Sequence, residues 1–567
     1  MKTIYRHVGL VVLLCALVYG NSLSGAFAWD DETQIVKNPS IRTLGNIPAA
    51  FNAPFWGFAS NGAENTTNFY RPMQTLLYTL GYAVGGLSPV PYHVISLALH
   101  ALASVFVYLI CLQLLFPDRP ALLAAALFAV HPVHTEAVAW IAGMADVACG
   151  AFYFAALWAF LKSSTGQKAK WLAFSSLLYM GALLSKEMAV TLPLLVFLLS
   201  FRPGAQRVTL TERLKSVAPF AAVTVAYLLM RGHALGFLAN EHLVFQADTF
   251  DWITLGVWAF GQYVWYTLIP YPLTAFHLVA VRFEERSIPT IIGLLLVFVL
   301  MGLAFRFRKR MPEGWFWLAS FAVLLIPVFY FKGISVTLIA ERYLYIPSFA
   351  AVALAAAVTR RSLKNALALG WVAVAILGGM TMARNPVWNG SERLYMETLM
   401  NSPDLPHFQI NLSDILLGRG DDGGARQHLE QALKSLEGDR YAYSEADRYR
   451  AEIGIGALDA RARKFTNARK HFEQAREINP KGEWSYLYLG GLILEAESDY
   501  PKAIELFREA IRLGPLNEVA RDYLGIALFN QGKFQEAADS FRNALTINPK
   551  YELARTHLDM ATKKLTP

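Results

Sequence analysis

The chain has 567 residues, 55% of them hydrophobic and only 17% charged, with a formal net charge of +8 at pH 7. Soluble globular chains carry about a quarter charged residues, which excludes an ordinary soluble enzyme for the chain as a whole. Much of the basic excess sits in short loops between apolar runs, where it reports membrane orientation and not nucleic-acid binding; Cys15, Cys111 and Cys149 lie inside such runs, which leaves no disulfide framework.

The averages conceal two regions. Residues 1–383 are a succession of long apolar runs, whereas residues 400–567 are rich in Glu, Arg, Lys and Ala and hold no run long enough to cross a bilayer. The expected organisation is a first transmembrane helix (1–22), a first outer loop (23–90), a polytopic membrane domain (91–384), a linker (385–404) and a repeat region (405–567). At the N-terminus Lys2, Arg6, the apolar stretch Val8 to Tyr19 and Ala26-Phe27-Ala28 also satisfy a secretory signal with its cleavage site. Anchor or cleaved signal, either delivers the next residues, Trp29-Asp30-Asp31-Glu32, to the far side of the membrane. Asp30 and Asp31 are the first acidic residues of the chain.

Length and apolarity predict spans at 8–22, 91–116, 120–131, 137–161, 171–185, 188–201, 216–232, 289–305, 314–331, 343–359 and 365–383. The basic clusters Lys162/Lys168/Lys170, Arg202/Arg207/Arg213/Lys215, Arg306/Arg308/Lys309/Arg310 and Arg360/Arg361/Lys364 all land inside if the apolar segments 70–87 and 253–270 lie at the outer face without spanning. Parity then gives about eleven spans, N-terminus inside and C-terminus outside. Six polar motifs share the outer face: the Asp30-Asp31 loop, Tyr70-Arg71-Pro72, His131-Pro132-Val133-His134-Thr135-Glu136, Ser185-Lys186-Glu187, Glu341-Arg342 and Asn385-Pro386-Val387-Trp388.

Each motif has a plain and a chemical reading. Asp30 and Asp31 suit a helix cap at a membrane boundary, or a general base that takes a proton from an acceptor hydroxyl. His131, His134 and Glu136 have a spacing that suits a metal, but Pro132 breaks the helix and capping explains them as well. Asp146 on the next helix is an acid at costly depth and calls for a partner. Lys186 either snorkels to water from a hairpin turn or meets a lipid phosphate. Arg342 either pairs with its neighbour Glu341 or turns its planar fork to a phosphate; Arg71 and Arg231 are further cations for that role.

In the soluble half Ala468, Phe472, Ala475 and Pro480 recur as Ala503, Phe507, Ala510 and Pro515, then as Ala537, Phe541, Ala544 and Pro549, offsets of 35 and 34 residues. That is the tetratricopeptide period. Leu489-Gly490 and Leu524-Gly525 supply the small-residue contact, Ala425, Leu429 and Ala432 mark a looser earlier copy, and 550–564 reads as an end helix. Such arrays present a concave surface to polypeptides.

Taken in order, Trp29-Asp30-Asp31 with Asn38-Pro39, Tyr70-Arg71-Pro72, Tyr92-His93, His131 through Val138, Ser185-Lys186-Glu187, Glu341 through Ser348 and the trailing repeats make the chain resemble the transmembrane and TPR repeat-containing O-mannosyltransferases of the GT-C glycosyltransferase fold. The resemblance implies an all-α, polytopic GT-C bundle followed by a TPR solenoid, and inverting transfer of a sugar from a polyprenyl-phosphate carrier to an acceptor hydroxyl. It implies Asp30 as the base, with Asp31 the second acid of the catalytic pair. Arg342, Lys186 and Arg71 are then the donor-phosphate contacts, and Tyr70, His131, His134, Glu136, Glu187 and Glu341 support the outer face. Relatives carry Asp-Glu where this chain has Asp-Asp, which leaves the role of Asp31 open. No metal and no cofactor enter the expectation; the partners are membrane lipid, the lipid-linked donor and a protein or peptide acceptor, without nucleic acid. Short loops suggest a bacterial chain, with an undecaprenyl carrier and periplasmic repeats; in a eukaryote the repeats would be lumenal in the endoplasmic reticulum. Two alternatives stand beside it: a non-catalytic TPR scaffold for an envelope complex, and a GT-C transferase acting on glycolipid or polysaccharide.

Overall fold

The computed structural model describes residues 2–59, 68–114, 116–205, 208–238, 248–277, 283–330, 339–361, 364–437 and 444–565. Arg207, Leu115 and Phe331, which figured in the expected loops and span ends, lie outside the described residues. Among the described residues the regular structure is helical throughout, with no strand. The chain divides into two compact units, Met1–Asn401 and Ser402–Pro567.

Every apolar segment expected in the first unit is helical. Among the described residues, five helices have the length and apolarity to cross a membrane: Lys2–Ser22, Val90–Gln113, Ile141–Lys162, Leu210–Leu235 and Asn365–Trp388. Asp118–Val130 and Pro132–Ala139 make a sixth candidate as a pair bent by 49°, because Pro132 lacks the amide that would continue the first helix. Other expected spans correspond to the shorter apolar helices Glu187–Leu199, Thr290–Arg306, Glu313–Phe329 and Ser348–Arg360. Among the described residues, length and composition alone do not confirm the eleven spans expected. The two segments expected to lie at the surface are the helices Pro72–Gly85 and Thr249–Leu268.

Local chemistry sets the helix ends. Val90–Gln113 opens with Pro91 in its first turn, where a missing amide costs nothing. Leu210–Leu235 starts in a Thr209/Glu212 capping box and stops at Gly236, whose φ of 80° closes the C-terminus. Helix Met144–Lys162 is apolar on all sides and is packed by Val90–Gln113 and Lys168–Ser185, the pattern of a central helix. Lys364–Arg384, by contrast, turns Leu369, Val372, Ile376 and Met382 outward, as suits contact with lipid chains. Gly261 and Gly293 let helices Thr249–Leu268 and Phe283–Arg306 approach to backbone contact.

The second unit is a stack of helix pairs: Pro406–Gly418 with Asp422–Ser435, Ser444–Arg461 with Phe465–Ile478, Glu483–Ala496 with Tyr500–Leu513, and Glu518–Asn530 with Phe534–Ile547, followed by Glu552–Leu565. Phe507 and Phe541 fill the space left by Gly490 and Gly525 on the partner helix; Phe472 does the same at Gly456. The repeated Ala and Phe positions are fully or almost fully buried.

Candidate functional site

The first loop begins as the first helix ends. Trp29 adopts φ +52°, a left-handed conformation uncommon for a bulky residue, and Glu32–Val36 follows as a π-helical turn. The two aspartates between them part company. Asp31 is 1% exposed, and its oxygens accept the Ala142 amide at 2.8 Å and the Ala28 amide at 2.9 Å. Burial pushes its pKa well above the ordinary range, with the two amides opposing that rise. Expected in the catalytic pair, Asp31 is instead turned inward as a brace that ties the loop to residues 111 positions away. Asp30 is only partly buried, with Gln34 Nε2 at 3.5 Å from its carboxylate. Gln34 Oε1 in turn accepts the Tyr78 hydroxyl at 2.9 Å, and Tyr78 stands in the field of Asp31, Asp30 and Arg71 together.

Arg71, Lys186 and Arg342 come together on this unit. Arg71 caps the entry to helix Pro72–Gly85 and forks onto Glu187, with Nη2 2.8 Å from Oε1 and Nε 3.4 Å from Oε2. Lys186 is 3% exposed and donates to both oxygens of Asp146 at 2.7 Å. It therefore does not snorkel: the break after Ser185 turns its ammonium inward, where Asp146 offsets the desolvation. Arg342 does not pair with its neighbour Glu341 either. It bonds Glu136 through both its backbone amide and its guanidinium. The Tyr343 ring lies 5.3 Å from Lys186 Nζ and 5.2 Å from the Arg342 guanidinium, within cation–π range. Asp146, Cys149, Met188, Arg342, Tyr343, Tyr345 and Ile346 line a small crevice there. Glu187 keeps a side chain 40% exposed; although desolvation raises its pKa, Arg71 and Lys186 outweigh that and hold it at about 2.

An aromatic stack joins the acid loop to these cations. Trp29 lies on Trp140 at 5.4 Å between ring centres, and Trp140 lies on Trp388 at 5.3 Å. The Trp140 indole N–H donates to Ala28 O at 3.1 Å, while the Arg342 guanidinium sits 5.6 Å from the Trp140 ring.

The remaining expected site residues serve as supports. His131 Nε2 bonds Thr267 O, and His134 bonds Phe128 O and Ser348 Oγ. Among the described residues no three His, Cys, Asp or Glu side chains converge as a metal site. Tyr70 is buried with its hydroxyl on Phe51 O at 2.8 Å, and Arg231 reaches Asn68 O at 2.7 Å, so both brace the first loop. Glu341 accepts the Thr274 amide at 2.6 Å and meets Arg384 at 3.2 Å. Arg384, Trp140, Gln34 and Tyr78 were not anticipated; Arg384, which directly precedes Asn385-Pro386-Val387-Trp388, was the one with a local signal.

Comparisons with known proteins bear on both units. Residues 71–232 match the family described as dolichyl-phosphate-mannose-protein mannosyltransferase. Residues 453–518 and 523–551 match tetratricopeptide repeats. Protein O-mannosyl-transferase TMTC3 of Mus musculus is 35% identical over 159 residues, covering 28% of this chain and 17% of that protein. Protein O-mannosyl-transferase F38B6.6 of Caenorhabditis elegans is 26% identical over 450 residues, covering 76% and 62%. The chain thus spans less than two thirds of the length of these curated relatives. Among solved structures, that of YrrB, described as a TPR protein with an unusual peptide-binding site, aligns at 19% identity and TM-score 0.24 over 30% of this chain and 84% of that one. The apolar helices define the class as a multi-pass membrane protein, similar over residues 71–232 to the mannosyltransferase family and over residues 453–551 to tetratricopeptide repeats. Its curated relatives are similar proteins named O-mannosyl-transferases.

Proposed function

We propose that the chain transfers a sugar, mannose by analogy with its relatives, from a polyprenyl-phosphate carrier to an acceptor hydroxyl at the outer, non-cytoplasmic face of a membrane. In this reading the acceptor oxygen bonds to the anomeric carbon as the bond from that carbon to the phosphate oxygen breaks. Asp30 receives the hydroxyl proton, and the electron pair of the broken bond leaves with the carrier phosphate, inverting the configuration. A carboxylate suits the task because it is ionised at neutral pH and needs only hydrogen-bond reach. Developing charge on the phosphate calls for preorganised cations, the role given to Arg71, Lys186 and Arg342. The repeats supply the surface for a polypeptide acceptor.

The observation that carries the reading is that Lys186 and Arg342 share the Tyr343 ring, with Arg71 paired to the adjacent Glu187, and that Arg342 is linked through Trp140 and Trp29 to a partly exposed Asp30. The test is sugar transfer by purified wild type and Asp30→Asn from a panel of polyprenyl-phosphate sugars, with peptide and lipid acceptors followed by mass spectrometry. Wild-type activity that drops on the order of 10²- to 10⁴-fold in a folded Asp30→Asn protein is expected. A wild type inactive with every donor would favour the scaffold. Undiminished activity in Asp30→Asn would point to a different carboxylate.

A further inference from the structure

The acid loop is held from the far end of the unit. Asn385 Nδ2 donates to Val18 O at 2.8 Å and Asn21 Oδ1 at 2.7 Å, and Asn21 Nδ2 donates to Met382 O at 2.8 Å. Further along, Asn389 Oδ1 accepts the Ala26 amide at 2.8 Å and Ser391 Oγ accepts the Trp29 amide at 2.9 Å. Gly390, between the last two, turns at φ +89°, a conformation that favours glycine. Residues 382–391 therefore follow residues 18–29 through side-chain bonds, and Trp388 and Trp29 clasp Trp140 between them. The final bond of the row falls on Trp29, the strained residue directly before Asp30.

We propose that Asn389 and Ser391 are positioning residues for Asp30: they latch the backbone of Ala26 and Trp29, and so fix where the acid emerges from the loop. The proposal rests on the transferase reading and adds to it a role for a segment that sequence reasoning took as a linker. A left-handed tryptophan persists only when its surroundings over-determine it, and such residues gather at functional sites. Here the surroundings are a hydrogen bond from the Trp29 amide to Ser391 Oγ, an indole stack on Trp140 and an Ala28 carbonyl fixed by the same Trp140. Releasing the amide frees the turn at the residue whose carboxylate must meet the acceptor hydroxyl. Small misplacements of a reacting group cost far more in rate than in binding.

The test uses the full chain in detergent with a polyprenyl-phosphate mannose donor and a peptide acceptor. Ser391→Ala and Asn389→Ala are each expected to lower kcat on the order of 10- to 100-fold, with the donor KM changed by less than about twofold. Ser391→Thr, which keeps an Oγ acceptor, is expected to restore most of the Ser391→Ala loss. In an Asp30→Asn background Ser391→Ala should add less than about twofold, since both act through one group. Amide hydrogen exchange over residues 26–31 should rise in both alanine variants, a readout that needs no donor. Wild-type kcat in both alanine variants, no rescue by threonine, or unchanged exchange would overturn the latch. If Ser391→Ala does not fold, Asn389→Ala and Ser391→Thr decide between these outcomes. Failure of the underlying reading looks different: wild type is then inactive, or Asp30→Asn is as active as wild type.

Discussion

The two units differ in the range of many of their ion pairs. In the first, the carboxylate partner of Arg342 lies 206 residues away in sequence and that of Arg71 lies 116 away. In the repeat unit Arg512, Arg542 and Arg555 each meet an acid three residues off on their own helix, exposed to solvent. A buried pair drawn from distant segments gains little net stability, because desolvation offsets attraction, but it strongly penalises any arrangement that separates the partners. Exposed helical pairs gain little and forbid little. Charge in the first unit therefore specifies one geometry, whereas in the second such exposed pairs stand beside cross-helix pairs like Arg426 with the buried Asp459, and Gly–Phe contacts also fix the stack.

Four experiments bear on that contrast. The largest effect is expected from Arg342→Gln, which leaves Glu136 buried without its cation; a loss of about 3–5 kcal/mol should appear in detergent unfolding, and Glu136→Gln in the same chain should recover part of it. Should Arg342→Gln unfold like wild type, the pair does not organise the unit. Next comes Gly490→Leu, whose side chain would run into the Phe507 ring. Overpacking of this kind costs about 1–3 kcal/mol, read as faster limited proteolysis within residues 483–513. A protease-resistant variant would mean that the helices separate at little cost.

A pH series sharpens the contrast further. Glu187 is held at about 2, below its ordinary value of 4.5, so it binds a proton more weakly folded than unfolded. Its contribution is present in full above pH 4.5 and is lost as pH falls toward 2. The unfolding midpoint of wild type should fall over that window more steeply than that of Glu187→Gln; parallel curves would show that Arg71 does not stabilise the carboxylate. Smallest of all, Arg555→Gln on the end helix should change stability by less than about 0.5 kcal/mol in the same unfolding assay, and a larger loss would mean that exposed pairs also shape the repeats.

Legibility in the sequence followed the range of the interaction. Apolar runs and a 34- to 35-residue period are local patterns, so the helices and the Phe507 and Phe541 contacts could be read directly. Near Asp30 the limit is equally plain. Asp30 and Asp31 are adjacent and chemically alike, and the Ala142 amide that helps make Asp31 the brace lies 111 residues on. Asp146 could be recognised as a group needing a partner, yet nothing in the sequence says that Lys186, 40 positions on, is that partner. The plain reading of Arg342, a pair with Glu341, fails for the same reason: the nearest acid in sequence is not its partner in space, which is Glu136. Segment 385–404 reads as a connection by composition, but Asn385 is bonded to Val18 near the end of the first helix and Asn389 to Ala26 of the first loop, bonds that no local pattern announces.

One arrangement has a bearing on turnover. Arg71, Lys186 and Arg342 each come with a carboxylate, Glu187, Asp146 and Glu136 respectively, so the three pairs sum to zero formal charge. On the proposed reaction the incoming lipid is a phosphodiester with one negative charge, and the spent carrier is a monoester with close to two at neutral pH. A pocket of unopposed cations would hold the exhausted carrier more tightly than the fresh one and throttle itself by product inhibition. A neutral set of pairs narrows that difference, and favours an enzyme that lets its used lipid go.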